Sequence, residues 1–112
     1  MTTDVVALCA RPPDAGTVLA ALVACGPELG VSTVEPLVQL LDEDGTVLVS
    51  IEGPRSTAPG EAQRLLGVPD APDPAWWVEA RATAGNPRAG VVARRFAAAL
   101  LSVTGGTSWS SR

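Results

Sequence analysis

The stretch that most constrains the fold is Trp76-Trp77-Val78-Glu79-Ala80-Arg81-Ala82-Thr83, in which small or apolar residues alternate with a mixed polar set. Period two sends Trp76, Val78, Ala80 and Ala82 to one face of a strand, and Trp77, Glu79, Arg81 and Thr83 to the other. A second stretch, Thr46 to Glu52, alternates almost as cleanly: Val47, Val49 and Ile51 point one way, Thr46, Leu48, Ser50 and Glu52 the other. It follows Asp42-Glu43-Asp44-Gly45 and a strand-like run from Val31 to Leu41, so the pair reads as a β-hairpin on an Asp-Gly turn. Pro36 inside that run places it at a sheet edge or a bulge.

The other elements follow from caps and breakers. Asp4 to Ala10 is an apolar run stopped by Arg11-Pro12-Pro13, as a buried strand would be. Asp14 stands at the N-cap of a helix whose apolar face is Val18, Leu19, Leu22 and Val23, ended by Gly26-Pro27. Gly53-Pro54 is expected to break the hairpin's second strand, and Pro59-Gly60-Glu61 to start a short helix through Leu66. Gly67 to Pro74 is a polar loop. Asn86-Pro87 caps a helix to about Val103, with Val92, Phe96, Ala99, Leu100 and Val103 as its buried stripe. Gly105-Gly106 ends it, and Thr107 to Ser110 forms a last short strand. The expected fold is one α+β domain over residues 1–112, a two-layer sandwich in the order β-α-β-β-(short α)-β-α-β. Its mostly antiparallel sheet has two main helices on one face and leaves the other able to stay open.

The ionisable inventory narrows the chemistry. Of 112 residues eight are arginine, and lysine, histidine and tyrosine are absent. Without His or Lys the commonest general base and the side-chain Schiff-base amine are missing. Neither a G-x-S-x-G turn nor a Cys-His pairing occurs, and no glycine-rich phosphate loop is present, so no catalytic residue, cofactor or nucleotide is assigned. The acidic turn lacks the further acids of a calcium loop and reads as a turn, so no metal site is assigned either. Cys9 and Cys25 are expected as buried, unpaired thiols. The acidic start, without a basic n-region, predicts no secretory signal, and no apolar run is long enough to span a membrane, so a cytoplasmic protein is expected.

Two constellations suit binding instead. Trp77, Glu79 and Arg81 fall in a row on the open sheet face, beside Leu48 and Thr46 or Ser50, and Trp and Arg are enriched at interface hot spots. The plainer alternative buries Trp77 under the loop from Gly67 to Pro74 and pairs Glu79 with Arg81. The second constellation arises from uneven charge. All twelve acids lie at or before Glu79, whereas Arg81, Arg88, Arg94, Arg95 and Arg112 lie after it. Arg88 and Arg95, seven residues apart, share one side of the last helix and could dock an acidic protein. An ordinary solvated face, neutralised by the chain's own acids, is the alternative. A sequence pI near 4.6 argues against nucleic acid. Another protein is the expected partner, pairing of two copies through an open sheet face or edge is the second expectation, and a small carboxylate- or cysteine-dependent enzyme with a pocket lined by Glu52, Glu79 or Cys9 is the third.

The phrases DVVAL, VLAAL, VQLLDEDGTVLVSIEGP, PGEAQRLLG, WWVEARA and TGGTSW, spread over nearly the whole chain, resemble those of a family of small actinobacterial proteins. Such proteins are similar to accessory products encoded near type VII secretion or polymorphic-toxin systems. The resemblance implies an immunity-like or chaperone-like partner protein and supplies no functional residues.

Overall fold

A computed structural model describes residues 3–111, so Arg112 lies outside the described residues. The chain runs β1 (Thr3–Cys9), α1 (Ala15–Val23), β2 (Gly30–Val34), β3 (Leu37–Leu41), β4 (Val47–Ser56), α2 (Glu61–Leu66), β5 (Trp76–Ala82), α3 (Pro87–Thr104) and β6 (Gly106–Ser110). The six strands form one sheet in the order β2-β3-β4-β5-β1-β6, with every neighbouring pair antiparallel. The α+β class holds, with α1 and α3 on one face of the sheet.

β1 sits between β5 and β6 and is buried on both faces, which explains its unbroken apolar run. Val5, Ala7 and Cys9 join the main core beneath α1 and α3. Val6 and Leu8 point to the other face, into a smaller cluster with Ala62, Ala71, Ala75 and Trp77. α2 and the loop that follows it therefore add a partial third layer to the expected two.

Four expectations need correction. Val31 to Leu41 is two strands: Val34 pairs with Leu37, leaving Glu35-Pro36 as a two-residue turn. Pro36 has no N–H to give a ladder, so the chain reverses there, and the order gains a strand. Gly53-Pro54 does not end β4. Glu52 pairs with Glu79 and Arg55 with Trp77, so the two residues bulge out and pairing resumes. Gly53 is required there, because at φ 112 a Cβ would lie 2.6 Å from the Trp77 carbonyl oxygen. Leu48 is not on the open face. Leu40 pairs with Val49 and Leu41 with Val47, so Leu48 is the extra residue of a second bulge and turns into the main core, fully buried.

The helix faces are the fourth correction. On α1 the inward line is Val18, Ala21, Leu22 and Cys25, whereas Leu19 and Val23 are 56% and 66% exposed. α1 lies against α3, and the small side chains of Ala21 and Cys25 let the two backbones approach; the Cys25 thiol donates to the Val92 carbonyl at 3.9 Å. On α3 the inward stripe is Ala89, Val92, Ala93, Phe96, Ala97 and Leu100, with Val103 turned outward. Both N-caps are as read: Asp14 Oδ1 accepts from Thr17 N at 2.7 Å, and Asn86 Oδ1 from Arg88 N at 3.0 Å.

The bulge at Leu48 is testable by stability. Leu48→Ala should cost about 2–5 kcal/mol in urea denaturation, as deletions in a closed core do. Leu19→Ala, one of the four residues expected on the inner face of α1, should stay within about 0.5 kcal/mol of the parent. Equal losses in the two variants would contradict the placement of both side chains.

Candidate functional site

Trp77 organises the second face of the sheet. The residue is only 8% exposed, packed with Ala62 of α2 and with Ala71 and Ala75 of the loop, so the alternative of a tryptophan packed beneath that loop holds. The Gly53-Pro54 bulge brings Arg55 opposite Trp77, and the guanidinium carbon lies 4.6 Å from the ring centroid. That is cation–π distance, and Glu61 holds the same arginine at 3.7 Å. Trp109 of β6, opposite Val6, closes the cluster from the other side. The indole N–H donates to Glu79 Oε1 at 3.2 Å, which satisfies the one polar atom of the ring.

Beyond Trp77 the face turns polar and uncovered. Arg81 donates from Nη2 to Glu79 Oε2 at 3.4 Å and from Nε to Asp4 Oδ1 at 2.9 Å, tying β5 to β1. The bond to Asp4 is the main reason the Arg81 pKa is raised. Glu79 and Arg81 thus pair on the surface, as the plainer alternative has it. Glu52 stands directly across from Glu79 on β4 and makes no hydrogen bond or ion pair among the described residues. An open depression of about 420 Å³ is lined by Leu37, Ser50, Glu52, Glu79 and Arg81. A smaller hollow of about 90 Å³ lies between Glu52, Gly53, Arg55, Trp77 and Glu79. The alternation of the two strands places Trp77, Glu79 and Arg81 in this row and turns Glu52 outward with Ser50; Arg55 and Trp109 join it only through the fold. Arg55 was hidden by the bulge.

The arginines of α3 are engaged within the fold. Arg88 reaches Glu43 at 2.9 and 3.2 Å and Glu28 at 3.1 Å. This partnership lowers the Glu43 pKa and raises that of Arg88. Arg95 Nη1 donates to the Cys25 carbonyl at 3.3 Å, beyond the last turn of α1. Arg88 and Arg95 do share one side of α3, yet they clamp the β3–β4 turn and the end of α1 rather than forming a free basic face.

Neither cysteine is presented for chemistry. Cys9 and Cys25 are free and buried, and burial pushes both thiols up, away from the reactive thiolate. Among the described residues no cluster of three or more His, Cys, Asp or Glu has metal-holding geometry, and no helix is long and apolar enough to cross a membrane. Glu52 and Glu79 face each other across β4 and β5 and line an open depression, with no element covering it among the described residues.

Trp77 is accordingly a structural residue at the border of this surface. Trp77→Ala should lower stability by about 3–5 kcal/mol, seen as a large drop in melting temperature. Arg81→Ala should cost about 1 kcal/mol or less, because its ion pairs are exposed. A small loss on removing Trp77 would contradict its burial.

Compared with protein-family models, curated proteins and solved structures, the chain matches none of them.

Proposed function

We propose that this chain is a non-catalytic binding module for another protein, and that it meets that protein through the uncovered half of its second sheet face. The observation that carries this reading is the limit of the cover: α2 and its loop end over Trp77, leaving Leu37, Ser50, Glu52, Glu79 and Arg81 around an open depression. Antiparallel sheets can leave one face to solvent, and a face with graded charge and a fixed register gives a partner a defined orientation. The facing pair Glu52 and Glu79 adds a preference. Like charges directly opposite on neighbouring strands are destabilising; Glu79 has hydrogen-bonding partners, whereas Glu52 feels Arg81 only through space. A cationic side chain brought by the partner would offset that repulsion.

The missing histidine and lysine, the buried thiols and the open acid pair support binding over catalysis. The pattern resemblance to proteins near type VII secretion or polymorphic-toxin systems supports an accessory role there, immunity-like or chaperone-like. A cytoplasmic location belongs to the same proposal, in keeping with two cysteines held as free thiols.

Co-expression with the products of neighbouring genes, followed by capture on the tagged chain, tests this reading. A retained partner should be lost at least tenfold with Glu52→Arg and with Arg81→Glu, and its binding should weaken as salt rises. Leu65→Glu, an exposed site on α2, should leave it bound. A partner equally retained by both sheet-face variants would overturn the assignment of this surface.

A further inference from the structure

The opposite end of the sheet has a different character. Of the seven large apolar side chains most exposed among the described residues, four lie on α1 and β2: Leu19, Val23, Val31 and Val34. Between α1 and the β2 end of the sheet runs an apolar groove of about 430 Å³, whose walls include Val18, Leu19, Leu22, Val31 and Val38. β2 and β6 are the two edge strands of the sheet, both free of charge and proline; β2 is the one that borders the apolar groove, and its outer backbone groups have no strand beside them. Edge strands are ordinarily blunted by charge, proline or a bulge; Gly-Val-Ser-Thr-Val carries no charge and no proline, and it pairs with β3 without a break in register.

We propose that β2 is a self-association edge. Two copies pair β2 against β2, antiparallel about a two-fold axis through Ser32, and the α1 groove of each closes over the seam. Three observations favour a second copy as the occupant. An antiparallel strand edge is complementary to itself, so a two-fold contact uses every outer backbone group of β2. The side chains also match. With Ser32 opposite Ser32, Val34 of one copy falls opposite Gly30 of the other, a bulky residue over one with no side chain. Val31 falls beside Thr33, and both line the groove, so the two grooves merge across the axis. Charge gives the third reason. Each copy carries −4, so like molecules can meet closely only through a neutral patch. β2 is such a patch, whereas the second sheet face presents Asp4, Glu52 and Glu79. Of the acids near the strand, Glu28 is held by Arg88 and Asp14, which lines the groove, caps α1, while Glu35 lies in the turn beyond Val34.

The contact is small. Five paired residues span about 17 Å, so the interface falls at the low end of the size range, where weak and transient contacts lie, and a micromolar constant is the one to test. Because the copies repel at long range, added salt should tighten this pairing; the charged sheet face is predicted to respond the opposite way.

Sedimentation from about 10 to about 500 μM brackets a micromolar constant. The mass should rise from 11.4 kDa toward twice that value. Val31→Lys and Val23→Glu, both at exposed positions, should each weaken the pairing at least tenfold, and Val103→Lys, equally exposed on α3, should not. Ser32→Cys reads the geometry directly. Facing residues of an antiparallel pair lie about 4.5–5.5 Å apart at Cα, within disulfide reach, so mild oxidation should yield a covalent dimer. The native thiols are buried and do not compete. A mass of 11.4 kDa at every concentration overturns the proposal. So does a dimer that survives both edge variants, or one whose Ser32→Cys form does not cross-link.

Discussion

The pairing of β1 with β5 is the constraint on which the rest depends. It is the longest uninterrupted register in the sheet, from Thr3 opposite Ala82 to Cys9 opposite Trp76, and both of its faces are buried toward the Cys9 end. Val5, Ala7, Val78 and Ala80 give α3 a shallow surface on which its own Ala89, Ala93 and Ala97 can settle closely. Val6, Leu8 and Trp77 give α2 and its loop something to cover. Small residues on the helix side allow close approach, and a large ring on the other side supports a cover that is only partial. The sheet's two faces therefore differ in kind because, past Trp76, β5 alternates between small side chains toward the helices and large ones on the other face.

That asymmetry sets where function can reside. The cover over Trp77 is local and the sheet is wide, so the polar ends of β4 and β5 remain open. Arg55 and Arg81 flank the Glu52–Glu79 pair, one drawn toward the indole ring and the other toward Asp4. Arg88 and Arg95 of α3, the other candidate docking residues, are engaged within the molecule. Arg88 bridges elements 45 and 60 residues away in sequence, and Arg95 reaches the chain beyond α1. Both hold α1 and the β3–β4 turn to the scaffold, which matters because α1 rests on α3 and leaves a groove toward β2.

Much of this was legible where local chemistry decides the outcome. The caps at Asp14 and Asn86, the Asp-Gly turn, and the alternation of Trp76–Thr83 each depend on neighbours a few residues away, and they form as read. Features that depend on distant partners were not legible. α1 reads Ala-Gly-Thr-Val-Leu-Ala-Ala-Leu-Val, so apolar residues surround it and its phase is chosen by the small surface of α3. The two bulges of β4 are set by the strands on either side, and they moved Leu48 inward and aligned Arg55 with Trp77. Pro36 was recognised as disruptive, yet a bulge and a reversal leave the same mark in a single sequence. For the site, Glu79 and Arg81 were placed on the correct face and the loop from Gly67 to Pro74 was named as a cover for Trp77, but the share that α2 takes in that cover depends on the fold.

Native-state hydrogen exchange addresses the central claim most directly, because it reads the stability of each element separately. If the β1–β5 ladder carries the fold, the amides that bond those two strands exchange only through global unfolding. Those of α1 and α2, each resting on one side of the scaffold, exchange through smaller openings at lower free energy. Ladder amides of β1 that exchange as readily as those of α1 would contradict this account.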